Sequence, residues 1–165
     1  MSISIIILTL NAEEYIENIL NVIDLNKYHI LVIDSSSSDN TIKICKRFSC
    51  EMEIISRSEF NHGSTREMAR KIVGTDISVC LTQDVIPLDS TLIEKLIAPI
   101  LNKKVVVSYA RQIPHAAAGS LEAFPRQYIY PNISNIRNIH DVDTYGVQLF
   151  QCSDSCAAWL SSALD

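Results

Sequence analysis

Short β-branched runs that end abruptly in polar residues constrain this chain most. Ser2-Ile3-Ser4-Ile5-Ile6-Ile7-Leu8 and His29-Ile30-Leu31-Val32-Ile33 are nearly continuous apolar segments. Such runs suit strands buried on both faces, as in a parallel sheet. The first leads into Thr9-Leu10-Asn11, the second into Asp34-Ser35-Ser36-Ser37-Ser38-Asp39. Helical stripes lie between them, so the chain reads as βαβ units and an α/β fold.

The first stripe is Ala12, Tyr15, Ile16, Ile19, Leu20 and Ile23, with Asn11 as its expected N-cap and Glu13 and Glu14 in its first turn. Thr41, Ile44, Cys45 and Phe48 give a second, short helix. Glu53-Ile54-Ile55 is a weak third strand. Ser64–Val73 is a helix with Met68, Ala69 and Ile72 inward, stopped at Gly74. Ile77–Leu81 is the fourth strand. A helix capped by Asp89 or Ser90 follows, which Pro99 should end or kink. Val105–Tyr109 is the fifth strand. From Ala110 to Phe150 little periodicity survives, a length of loop that is often functional. A last helix is expected near Ser155.

Composition narrows the function. The 165 residues carry 14 Lys+Arg against 19 Asp+Glu, a net charge of −5, which argues against a nucleic-acid binder that neutralises phosphates. At 47% hydrophobic and 20% charged, the chain has material for one core. Cys45, Cys50, Cys80, Cys152 and Cys156 form no CxxC pair. With no signal-peptide pattern, they favour free thiols in a soluble, cytoplasmic protein, one that can still sit against a membrane. Cys152, Cys156 and His140 are a weak zinc candidate.

Ligands of open α/β sheets bind at the carboxyl ends of the strands. Those ends carry Thr9-Leu10-Asn11, Asp34 and Gln83-Asp84, which points to a polar ligand. Only four glycines, with neither GxGxxG nor GxxxxGK[ST], argue against a close backbone phosphate cradle. A diphosphate would need a metal and a basic side chain. Asp84 suits Mg²⁺ or Mn²⁺, and Arg66 suits phosphate. From the residues alone, Asp34 reads equally as a turn cap or as a ligand contact. His62 reads as a residue that shapes its loop or lines the pocket, and Trp159 as packing. No GxSxG elbow supports a nucleophilic serine.

In order and spacing these segments resemble family 2 glycosyltransferases of the GT-A fold. Ile5–Asn11 and Val32–Thr41 match the family's opening. Phe60–Arg66, Leu81–Pro87, Arg111–Pro114, Phe124–Arg126, Tyr130-Pro131 and Ser153–Ala158 are similar to its rhamnosyltransferase-like branch. The resemblance implies a Rossmann-like, mostly parallel nucleotide-sugar-binding sheet with helices on both faces. It implies one domain over 1–165, with 1–109 binding nucleotide and 110–165 beginning the acceptor side.

The implied donor is a nucleoside-diphosphate sugar such as dTDP-rhamnose. Thr9, Asn11 and Glu13 would line the nucleoside pocket, Asp34 would contact the base, and Gln83 would face the ribose. Arg66 would lie near the base or diphosphate, and Asp84 would bind Mg²⁺ or Mn²⁺. The implied activity is metal-assisted, inverting transfer to a polysaccharide or lipid-linked acceptor at the inner membrane face. The branch's catalytic base, the Asp of a Glu-Asp pair, comes later than Asp154, and no such pair follows here. The expectation is therefore a chain incomplete at its C-terminus, with exposed apolar surface that favours self-association. The alternative is a non-catalytic nucleotide-sugar-binding module. A nucleotidyltransferase ranks last, because Asn11-Ala12-Glu13-Glu14 stands where a glycine-rich, basic loop would be needed.

Overall fold

The computed structural model describes residues 1–165. Two compact units divide them: Met1–Ser108 with Asp154–Asp165, and Tyr109–Ser153. The first unit is built on the expected parallel strands. β1 (Ile3–Thr9), β2 (His29–Asp34), β3 (Glu51–Ile54) and β4 (Ile77–Thr82) alternate with α1 (Ile16–Val22), α2 (Thr41–Arg47) and α3 (His62–Val73). After α4 (Leu92–Leu101) come β5 (Val107–Tyr109) and, beyond the second unit, β6 (Cys156–Leu160). The sheet order is β3-β2-β1-β4-β6-β5. β1 pairs in parallel with both β2 and β4, while β6 runs antiparallel to β4.

Burial follows the pleat. Ile6, Leu8, Leu31, Ile33 and Cys80 share one face with Ala69 of α3. Ile5, Ile7, Val32, Val79 and Leu81 are buried as well, so the central strands are covered on both sides. α3 starts where the Asn61 side chain accepts the N–H groups of Gly63 and Ser64, both at 3.1 Å. It stops at Gly74, whose φ of 56° is left-handed. A Cβ there would meet nothing within 4 Å, so Gly74→Ala tests backbone strain alone. It should cost about 1 kcal/mol in denaturant titration.

Several elements differ from expectation, each for a local reason. α1 begins five residues after Asn11, and the carbonyl of Ala12 accepts Tyr15 N and Ile16 N in a preceding turn. Asn11 takes a left-handed φ of 51° instead of capping the helix, and Tyr15 faces solvent. Ile72 is exposed rather than inward. α4 is capped by Thr91, whose N–H donates to Asp89, and it runs through Pro99. The buried stripe Ile93, Leu96, Ile97 and Ile100 outweighs the bond that proline forfeits. β3 starts two residues early and β5 is shorter than expected.

The largest difference is at the C-terminus. Cys156–Leu160 is a strand, not a helix, because β4 offers it an open edge; Ala157 and Ala158 are fully buried there. Within the second unit, α5 (Ser120–Ile129) occupies part of the expected loop, followed by the short helix α6 (Val142–Tyr145). Arg137 organises this unit, donating to the Tyr109 hydroxyl and the Gln151 carbonyl, with its guanidinium over the Tyr109 and Tyr145 rings.

All five cysteines are free thiols. Burial pushes Cys45 and Cys156 up to about 12 and Cys80 up to about 11. A thiol raised on folding stabilises fully below its unfolded value near 9 and loses that contribution as pH climbs toward 12. These three thiols should resist iodoacetamide at pH 8 in the native protein and react once it is unfolded. Stability in urea should fall above pH 9.

Candidate functional site

The site residues lie where the sheet reverses its winding. β2 and β4 flank β1 on opposite sides, so the chain leaves β1 in one direction and returns in the other. This is the switch point at which open α/β sheets bind ligands. Across it the backbone N–H of Leu10 donates to Gln83 Oε1 at 2.7 Å. Gln83 thereby joins the loop after β1 to the end of β4.

Asp34 is the buried centre. Its Oδ2 accepts Thr9 Oγ1 at 2.8 Å and Ser37 Oγ at 2.6 Å, and its Oδ1 accepts Ser37 N at 2.7 Å. The residue is fully buried, and the carboxylate caps the turn that follows it.

The loops after β1 and β2 are tied together bond by bond. Asn11 N donates to Ser37 Oγ at 2.8 Å, and Asn11 Oδ1 accepts Ser38 N at 2.9 Å. Ala12 N donates to Thr41 Oγ1 at 2.7 Å. Glu13 Oε2 accepts both the backbone N–H and side-chain amide of Asn40, at 2.8 and 2.9 Å. Burial pushes the Asp39 carboxyl up, but the hydroxyl and N–H of Thr41 and the N–H of Glu13 outweigh it. They hold Asp39 below its ordinary value. Sequence reading singled out Asn11 and Glu13 but missed their partners Ser37, Ser38, Asp39 and Asn40. The signal was present in the serine run, since such side chains bond nearby backbone.

The opposite face of the sheet carries the charged part. Arg66 of α3 donates from Nη1 to the His62 carbonyl at 3.2 Å and from Nη2 to the Asp154 carbonyl at 3.3 Å. Its Nη2 also stands 3.3 Å from the Asp154 carboxylate. Sequence reading gave Asp154 no partner. Antiparallel β6 supplies the reason, because Thr82 N bonds to Ser155 O at 2.9 Å and so sets Asp154 beside the end of β4. His62 packs edge-on against Phe60 at 4.9 Å. Ser35 Oγ is buried at the end of β2 without a hydrogen-bond partner, the kind of group a ligand can satisfy.

Asp84 is exposed, and its Oδ1 accepts Thr82 Oγ1 at 2.6 Å. No three His, Cys, Asp or Glu side chains are placed to share a metal ion, so Cys152, Cys156 and His140 do not form the zinc site considered above. One exposed carboxylate fits a hard cation that takes its other ligands from phosphate and water, as Mg²⁺ commonly does.

The sequence model described as "Glycosyl transferase family 2" matches residues 4–164. The chain belongs to this family. It is 31% identical over 170 residues to the O-antigen chain rhamnosyltransferase RfbN of Salmonella typhimurium, a match covering 100% of the chain and 54% of the relative. It is 33% identical over 137 residues to the O-antigen chain rhamnosyltransferase WbaN of Salmonella anatum, covering 82% of the chain and 44% of the relative. The chain thus spans about half the length of these curated rhamnosyltransferase relatives.

Among solved structures, glucosyl-3-phosphoglycerate synthase from Mycobacterium tuberculosis, in complex with Mn²⁺, UDP and glucosyl-3-phosphoglycerate, superposes at a TM-score of 0.62 and 18% identity. That match covers 99% of this chain and 58% of that one. TarS of S. aureus superposes at 0.58 and 21% identity, covering 72% and 23%. These likenesses show the GT-A fold. Within the family chain, no helix is long and apolar enough to cross a membrane.

Proposed function

We propose that the chain binds a nucleoside-diphosphate sugar over the carboxyl ends of β1, β2 and β4 and serves sugar transfer to a polysaccharide or lipid-linked acceptor. The observation that carries this reading is the convergence at the switch point. At the strand ends Asp34 accepts the Thr9 hydroxyl, Gln83 accepts the Leu10 N–H, and Asp84 lies at the end of β4. The rhamnosyltransferase relatives support a deoxysugar donor such as dTDP-rhamnose, and the Mn²⁺- and Mg²⁺-bound neighbours support a divalent cation.

The resemblance to family 2 supplies the proposed residue roles. Thr9, Asn11 and Glu13 shape the nucleoside pocket through the tied loops. Asp34 fixes the Ser35–Ser38 turn and offers its remaining lone pairs to the base. Gln83 faces the ribose, and Arg66 meets the diphosphate. Asp84 would hold Mg²⁺ or Mn²⁺, which stabilises the charge that develops on the leaving diphosphate. The setting we propose is cytoplasmic, with lipid-linked acceptors met at the inner membrane face.

A saturating pyrimidine nucleoside diphosphate with Mg²⁺ should raise the melting temperature by about 5–10 °C at a hundredfold excess over Kd. No shift with thymidine or uridine diphosphate in either metal contradicts the reading. The second reading is binding without transfer. Glycosyl transfer or donor hydrolysis by these 165 residues would exclude it.

A further inference from the structure

Arg66 already has an anion. Its side chain is 16% exposed while that of Asp154 is 70% exposed, so a mostly covered cation faces a solvated carboxylate. A single nitrogen, Nη2, serves both the carboxylate and the carbonyl of Asp154, each at 3.3 Å. This is not the two-pronged pairing that a guanidinium makes with phosphate at its strongest. The pair is therefore long and open to exchange. Asp154 can turn into water without uncovering the core, whereas Arg66 is held in place by the His62 carbonyl at 3.2 Å. A diphosphate arriving at Arg66 also brings negative charge beside the carboxylate, which repels it.

We propose that Asp154 is an internal competitor that occupies Arg66 until a diphosphate displaces it, and thereby sets the affinity of the site for its anionic ligand. The proposal rests on the reading of Arg66 as a diphosphate contact. It gives Asp154 a specificity role. A ligand must offer enough charge to outbid a tethered carboxylate, so a nucleoside without phosphate gains nothing at Arg66.

Calorimetric titration of thymidine diphosphate and of inorganic pyrophosphate into the whole chain, with Mg²⁺ present, tests this. Asp154→Asn and Asp154→Ala should each bind both probes about fivefold more tightly than wild type, the scale on which an exposed ion pair withholds the competent state. The gain should shrink at high salt and be absent for thymidine. It should vanish when Arg66→Ala is combined with either variant, a coupling that a merely structural Asp154 would not show. Equal or weaker binding by both variants, or a gain that survives Arg66→Ala, overturns the proposal while leaving nucleotide binding intact. If wild type and variants alike fail to bind thymidine diphosphate, the nucleotide reading falls and takes this proposal with it.

Discussion

Asp84→Asn should remove the metal dependence of nucleoside-diphosphate binding and leave the fold untouched. Asp84 is exposed at the end of β4, and its one internal bond is accepted by Oδ1 from the Thr82 hydroxyl at 2.6 Å. Asparagine keeps a carbonyl oxygen for that bond, so the melting temperature should move little, as for most surface changes. On the proposed reading, however, Asp84 would be the single carboxylate that ties the cation to the protein. Without that charge, Mg²⁺ would stay with the phosphates and lose its tie to the protein. The affinity gained on adding Mg²⁺ to wild type should fall at least about tenfold in the variant, the scale seen when the shell around a bound metal is weakened. Titrations with and without chelator read it directly. Retention of full metal dependence by Asp84→Asn would remove Asp84 from the metal site.

Asp34→Ala should have the largest effect on stability. The carboxylate is fully buried and accepts the Thr9 hydroxyl, the Ser37 hydroxyl and the Ser37 N–H within 2.6–2.8 Å. Alanine leaves the buried Thr9 hydroxyl and the half-buried Ser37 donors without their acceptor, and a stranded buried donor costs more than its bond contributed. A loss of about 3 kcal/mol is expected, or about 6–12 °C in melting temperature for a chain of this size. Because Ser37 Oγ also accepts Asn11 N, the damage should spread into the loop after β1 and abolish nucleotide binding. Ser37→Ala removes only the hydroxyl and should cost about 1 kcal/mol. If Asp34→Ala melts with wild type, the buried lattice does not hold the site together.

What the sequence made legible follows from physical range. The runs Ile3–Leu8 and His29–Ile33 betrayed themselves because strands buried on both faces need apolar residues at every position. Their polar ends marked the switch point for the same reason, as the first residues free of the core. Asn11 was misplaced because an asparagine before two glutamates looks locally like a helix cap. Its actual partner, Ser38 N, lies 27 residues away and leaves no periodic signal. Cys156–Leu160 was misread because alanines favour helix in isolation, while an open sheet edge at β4 decides the matter from a distance. The same antiparallel strand brings Asp154 to Arg66, so that pair was hidden with it. Pro99 shows the opposite balance, with four buried aliphatic residues holding a helix that local rules would end.

The central claim is that the ends of β1, β2 and β4 form a metal-assisted site for a nucleoside diphosphate. Calorimetric titration of thymidine diphosphate into the wild-type chain, with Mg²⁺ and again with chelator, tests it most directly. Saturable one-to-one binding, markedly tighter with Mg²⁺ and lost in Asp34→Ala, is the expected result. Absence of heat in both conditions, with uridine diphosphate equally silent, would contradict it.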